Sequence, residues 1–255
     1  TCLFRSGVLG ANIYTGASVQ EFYSSGNYRD PSAWYHIVLA IDTTQATTAN
    51  RIKLYVNGSQ VTGTTSGALT QNADIRVLGT SEKVSIGQRV TYFDGYMAEI
   101  NYIDGQALTP SSFGSTNAQT GVWQPARYSG SYGNNGAYLP FTDNSSLTTS
   151  SNVGLGKDFS GNGNYWVTDG ISITSGSTYD SMTDVPTLTS ATASNFAVMN
   201  PLDQAGGLVF SEANLKVTAA TGWDGARATF SLPSSGKYYW ETTCISRSKI
   251  GRAHV

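Results

Sequence analysis

The sequence predicts an all-β chain: a jelly-roll β-sandwich, then an ordered extension rich in Ser, Thr, Gly and Asn, then the opening of a second β-sandwich. Three observations carry that prediction. Short runs of β-branched and aromatic residues recur along the chain, Gly, Asn, Asp and Ser punctuate them, and no segment longer than one turn has helical periodicity. Of the 255 residues 39% are hydrophobic and 13% charged, which gives a folded chain a core and a neutral polar surface. That length predicts more than one domain.

The first unit is expected over residues 1–114, with strands at Gly7–Tyr14, Ala33–Thr43, Arg51–Val56, Ile75–Leu78, Lys83–Gly87 and Gly95–Ile103. In Arg51–Val56 the residues Ile52, Leu54 and Val56 share one face, and Asn57-Gly58 follows as a hairpin turn that needs positive φ. Trp34–Asp42 is rich in aromatic and β-branched residues and apolar on both sides near its middle, as a central strand is. Thr109–Gly114 offers one helical turn at most. Residues 115–199 turn polar but keep Trp123, Tyr128, Tyr132, Tyr138, Phe141, Tyr165 and Trp166, too many aromatics for a flexible linker. They are expected to form an ordered extension with strands at Gly136–Phe141 and Asn164–Ile173. A third unit over 200–249 brings strands at Gly207–Phe210, Leu215–Ala219, Ala226–Leu232 and Lys237–Ile245.

The last residues, Ile250–Val255, read as one translation frame of a widely used sequencing-adapter DNA, so 250–255 is expected to be an artefact and is left out of fold reasoning. The first residues lack the charged start and apolar run of a signal peptide, and the chain is expected to begin inside a domain. The net charge is −2 and no run of Lys or Arg could track phosphates, which excludes nucleic acid as a partner. No stretch reaches about 18 apolar residues, so no membrane insertion is expected. Cys2 and Cys244 lie in different units, and their spacing supports neither a disulfide framework nor a metal site.

Several linked motifs resemble the laminin-G/concanavalin-A-like family: Trp34-Tyr35-His36-Ile37, Arg51–Gly58, Ser85-Ile86-Gly87-Gln88, Phe93–Ile100 and Leu108-Thr109-Pro110, in that order and spacing. The resemblance covers about residues 1–114 and implies a jelly-roll sandwich that binds sugars or proteins, sometimes with calcium at its rim. Asn200-Pro201-Leu202, Asn214-Leu215 and Ser235–Glu241 resemble the opening of a SPRY domain, another recognition sandwich. The tandem, with Tyr128–Gly136 and Asp158–Asn164 between, is similar to structural and tail-fibre proteins of tailed phages. That similarity implies a virion-surface or extracellular location and a homotrimer.

The sandwich family also hosts glycanases, and a retaining glycosidase needs two carboxyl groups about 5–5.5 Å apart. The Glu residues are Glu21, Glu82, Glu99, Glu212 and Glu241; the two-residue neighbours of Glu99 are Met97 and Asn101, and Asp104 projects from the opposite face. No carboxylate pair is expected, and the chain reads as no enzyme. His36, inside an apolar strand, reads as a structural residue, packed or at the surface. Asp158, Asn162 and Asp169 follow the alternation of a calcium loop, but one early carboxylate and no bidentate Glu predict low affinity; otherwise no cofactor is expected. A glycan site needs exposed aromatics beside hydrogen-bonding side chains on loops. The candidates are Tyr23, Tyr28 and Asp30 in a loop before Trp34, and Tyr92, Phe93 and Asp94 before the Gly95 strand. The expected function is a non-catalytic binding module for cell-surface polysaccharide or glycoprotein. The competing readings are an accessory domain of a secreted glycan-degrading enzyme and a structural spacer in a virion.

Overall fold

The structure, a computed structural model, describes residues 2–5 (backbone), 7–14, 19–30, 33–75, 85–87, 93, 95–118, 121–174, 179–181, 197–212, 214–219, 224–229 and 240–245. Its strands are β1 (Cys2–Arg5), β2 (Val8–Tyr14), β3 (Val19–Asn27), β4 (Ile37–Ile41), β5 (Ile52–Val56), β6 (Ser59–Gln60), β7 (Gly63–Ser66) and β8 (Ile100–Tyr102). There follow β9 (Gly114–Thr116), β10 (Trp123–Pro125), β11 (Ala137–Leu139), β12 (Met199–Ala205), β13 (Leu208–Ser211), β14 (Lys216–Ala219) and β15 (Gly225–Ala228). The chain is all-β, as its sequence predicts; its helical elements are single turns at Thr48–Asn50 and Pro110–Ser112.

Two sheets face each other. One has the antiparallel order β1-β2-β3-β7, the other β4-β5-β6. Alternation on β5 buries Ile52, Leu54 and Val56 on one face, paired across the ladder with Ile41, Leu39 and Ile37. These meet Leu9, Ala11 and Phe22 of the first sheet, and Ile13 and Leu69 extend the contact. Each fully buried Leu contributes about 1.5–3 kcal/mol. The Asn57-Gly58 turn has φ of 48° and 81° and joins β5 to β6 with Val56 opposite Ser59, the two-residue hairpin its sequence predicts.

Polar groups close the sandwich ends. Gln20 Oε1 accepts the Leu69 amide at 2.8 Å and Ser24 Oγ the Leu9 amide at 3.0 Å. Arg51 is buried, and its guanidinium donates to the carbonyls of Gln45, Ala46 and Leu69 and to Thr48 Oγ1.

Several expected elements differ. Residues 19–27, read as loop, form β3, so Tyr23 sits in a strand. The Ala33–Thr43 strand is limited to Ile37–Ile41, because at His36 the carbonyl still accepts the Asn57 amide but the His36 amide is taken by the Asn57 side chain and not by a backbone carbonyl. The Gly95–Ile103 strand shrinks to Ile100–Tyr102, since Glu99 has φ 55°, in the left-handed region that breaks a ladder. Asn164–Ile173 forms no strand; it is held by single backbone bonds from Trp166 to Gly156 and Thr168 to Thr148. Ser85–Gly87 is irregular, and the remainder of the strands expected at 75–78 and 83–87 lies outside the described residues, as do 230–239 and 246–255.

The extension packs onto the sandwich. β11 pairs with β8, and β9 with β10 across the expected boundary at residue 114. The Trp123 ring lies on Gly58, where a Cβ would come within 2.4 Å of it, and its centroid is 5.4 Å from that of His36. At the other end, β12 pairs with β15 and β13 with β14. No described residue of 197–245 is buried, and Leu202, Val209, Trp240 and Ile245 are exposed. The described part of this unit is therefore strand pairs with uncovered faces.

Candidate functional site

A cleft of about 660 Å³ opens between two loops of the extension, Arg127–Asn134 and Phe159–Asn162. Aromatic contacts set the first loop. From His36 in the sandwich, rings follow one another through Phe113, Tyr128 and Tyr132 to Tyr138, with centroids 5.2 to 6.4 Å apart. Edge-to-face and offset ring pairs of this kind add about 0.5–1.5 kcal/mol each beyond burial. Tyr128 Oη donates to the Ser131 carbonyl, and Gly130 is required beside it because a Cβ there would lie 2.2 Å from that hydroxyl. Tyr132 Oη donates to Asn101 Oδ1, and Asp104 Oδ2 accepts the backbone and side-chain N–H groups of Asn135. These bonds tie the loop to the segment around β8.

The second loop is organised by Asp158, which is 2% exposed. Its Oδ1 accepts the amides of Tyr138 and Ser160, and its Oδ2 the Ser160 hydroxyl and the Asn164 amide, all at 2.8 Å. Burial pushes its pKa up, but these four bonds outweigh that and hold it below the ordinary carboxylate value. Asn162 and Asn164 then clip the loops together through bonds to the carbonyls of Gly133, Asn134 and Gly136.

That geometry lends no support to the calcium expectation. The Asp158 carboxylate is surrounded by N–H and O–H donors, whose positive ends would oppose a cation. Asn162 spends its amide nitrogen on two carbonyls, and Asp169 is exposed. Among the described residues no group of three or more His, Cys, Asp or Glu side chains could hold a metal ion. The loop is a hydrogen-bonded turn.

Glu99 lies behind the cleft. Its Oε2 accepts the Tyr138 hydroxyl at 2.6 Å, while its buried Oε1 has no partner. Burial raises its pKa, against the lowering effects of that bond and of the Arg127 charge. Burial, the Glu99 bond and the Glu99 charge drive the Tyr138 pKa far up; Tyr132 is pushed up to about 12, chiefly by burial. The Arg127 guanidinium stands 5.1 Å over the Tyr138 ring. Cleft-lining residues include no carboxylate.

Of the expected glycan residues, the described ones take separate settings. Tyr23 lies on the outer side of β3 with its ring against Gly10, 3.0 Å from where a Cβ would stand. Tyr28 packs on the core and edge-on to Tyr35, and lines a smaller cleft of about 400 Å³ with Asn57 and Gln60. Asp30 is exposed, its amide donating to Tyr35 Oη. Phe93 is 38% exposed, while Tyr92 and Asp94 lie outside the described residues. Of the described candidates only Tyr28 lines either cleft. Sequence reading missed Arg127, Tyr128, Tyr132 and Phe159; the signal was the density of aromatics between 123 and 166 in an otherwise polar stretch. His36 is packed among aromatic rings, one of its two expected settings, and burial lowers its pKa.

Residues 3–112 match the family model of the concanavalin A-like lectin/glucanases superfamily, Laminin_G_3. The match supports the resemblance drawn from the first half and a domain of carbohydrate-binding type. It ends before the main cleft begins at Arg127. The comparisons with curated proteins and with solved structures gave no match, and nothing in them supports the SPRY-like or phage resemblances.

Proposed function

We propose that this chain is a non-catalytic saccharide-binding module whose main site is the cleft between Arg127–Asn134 and Phe159–Asn162. The observation that carries the reading is the lining: the aromatic side chains of Tyr132 and Phe159 beside Ser129, Ser131, Asn134 and Asn162, joined to a sandwich of the lectin/glucanase type. Pyranose rings present apolar C–H faces and a rim of hydroxyls, and such a surface offers both partners. Non-catalysis is supported by the commitments of the nearby acids. Glu99 accepts from Tyr138, Asp104 from Asn135 and Asp158 from four donors, and among the described residues no two carboxylates flank the cleft in the manner hydrolysis needs. On the sequence resemblances described above, the module serves a tail-fibre-like adhesin at a virion or extracellular surface, assembled as a homotrimer and contacting host polysaccharide or glycoprotein.

The test is a microarray of defined oligosaccharides probed with the parent and with Phe159→Ala. Phe159 is 37% exposed, so its loss spares the core. Saccharide binding by the parent that weakens about tenfold in the variant, equivalent to about 1.4 kcal/mol, supports the cleft. Binding that Phe159→Ala leaves unchanged places the saccharide elsewhere, and release of reducing ends from a bound polysaccharide overturns the non-catalytic assignment.

A further inference from the structure

We infer that the main cleft selects saccharides bearing a carboxylate, a uronic acid unit above all, and that Arg127 is the residue that reads the charge. The inference rests on the saccharide-binding reading and adds the class of sugar.

Arg127 is exposed at the cleft wall and, among the described residues, forms no salt bridge and no hydrogen bond; its one close partner is the Tyr138 ring beneath it. Contact with an aromatic face uses none of the guanidinium N–H groups as hydrogen-bond donors to oxygen, and their planar fork matches a carboxylate with two parallel bonds. Lys157 lies outside the lining, its Nζ 4.9 Å from the centroid of the Phe159 ring and its charge acting on Asp143, so Arg127 is the cation of the lining. Nothing acidic lines the cleft. Of the acids behind it, Glu99 accepts the Tyr138 hydroxyl through one oxygen and Asp158 is taken by the loop donors. A positive, aromatic-walled cleft on a chain of net charge −2 is a local departure from the overall balance. One lining cation neutralises one charge per sugar. A densely sulfated chain requires a track of cations that the cleft lacks, whereas a uronate contributes a single carboxylate to each ring.

The experiment compares polygalacturonate and alginate with the same polymers after carboxyl reduction to neutral sugars, by isothermal titration at two salt concentrations, together with an array of neutral oligosaccharides. The inference expects the acidic polymers to bind at least tenfold more tightly than their reduced forms. It expects Arg127→Gln to abolish that difference and Arg127→Lys to retain part of it, since charge survives but the fork does not. Circular dichroism and thermal midpoint of the variants should match the parent, because Arg127 is exposed. Equal binding of acidic and reduced polymers, with Phe159→Ala still harmful, overturns the charge selection and leaves the saccharide reading standing. Preference for acidic polymers that Arg127→Gln does not alter overturns the role of Arg127. Binding to no saccharide, acidic or neutral, overturns both readings.

Discussion

Asp158→Ala removes a carboxylate that four donors use, and its consequence can be worked from the geometry. Bonds to a charged acceptor contribute about 1.5–3 kcal/mol each. Two corrections reduce the sum. The Ser160 and Asn164 donors belong to half-buried residues that water can reach, and a carboxylate that is 2% exposed carries a desolvation penalty of several kcal/mol, which the variant no longer bears. The Tyr138 amide, in a residue 3% exposed, recovers no partner and keeps its full cost. The net loss is about 3 kcal/mol. With a urea dependence of about 2 kcal/mol per molar, the unfolding midpoint should fall by about 1.5 M. Equilibrium denaturation in urea followed by tryptophan fluorescence reads this, since Trp166 is bonded to Gly156 close to the loop. An unchanged midpoint refutes the argument that hydrogen bonds to Asp158 hold the loop. A midpoint that millimolar calcium raises in the parent but not in the variant refutes it differently, by making Asp158 a cation ligand. Saccharide affinity should fall with stability, because Ser160 and Asn162 form one wall of the cleft.

Two further outcomes follow from buried groups. Arg51→Met keeps the apolar stem but leaves the carbonyl of Leu69, itself 1% exposed, without its donor, and should cost about 2 kcal/mol in the same urea assay, with Arg51→Lys losing about half as much; stability equal to the parent would make the guanidinium a tolerated burial and not an anchor. Glu99 has its pKa raised by burial, so the folded state holds the proton more tightly and stability falls as pH rises from the ordinary Glu value through the folded one. Glu99→Gln retains an acceptor for Tyr138 and removes that fall, so the variant should melt above the parent at pH 7 and match it below the ordinary Glu value; a variant less stable at pH 7 reverses the assigned sign.

Where local pattern and tertiary demand agree, the sequence is readable. Ile52, Leu54 and Val56 alternate because one face of β5 meets the opposing sheet, and Asn57-Gly58 follows because only such residues accept positive φ at low cost. β3 escaped reading for the opposite reason. Its inward positions are Gln20, Phe22 and Ser24, and two of the three are polar since they satisfy the Leu69 and Leu9 amides across 49 and 15 residues. No window along the chain contains that demand. Glu99 looks like an ordinary strand residue, yet the ladder to β11 starts one residue later because its backbone is turned into the left-handed region.

The sequence by itself determined the all-β class, the sandwich of the first half and the β5–β6 hairpin, since period-2 alternation and turn chemistry are local properties. Tertiary structure alone decided where a ligand could lie. Tyr128, Tyr132 and Phe159 become one cleft only because Asp158 and the Asn162 and Asn164 amides draw two loops together, and because Phe113 and His36 extend the aromatic row back to the sandwich. Those contacts join residues 15 to 77 positions apart, and a pattern confined to neighbouring residues carries no record of them.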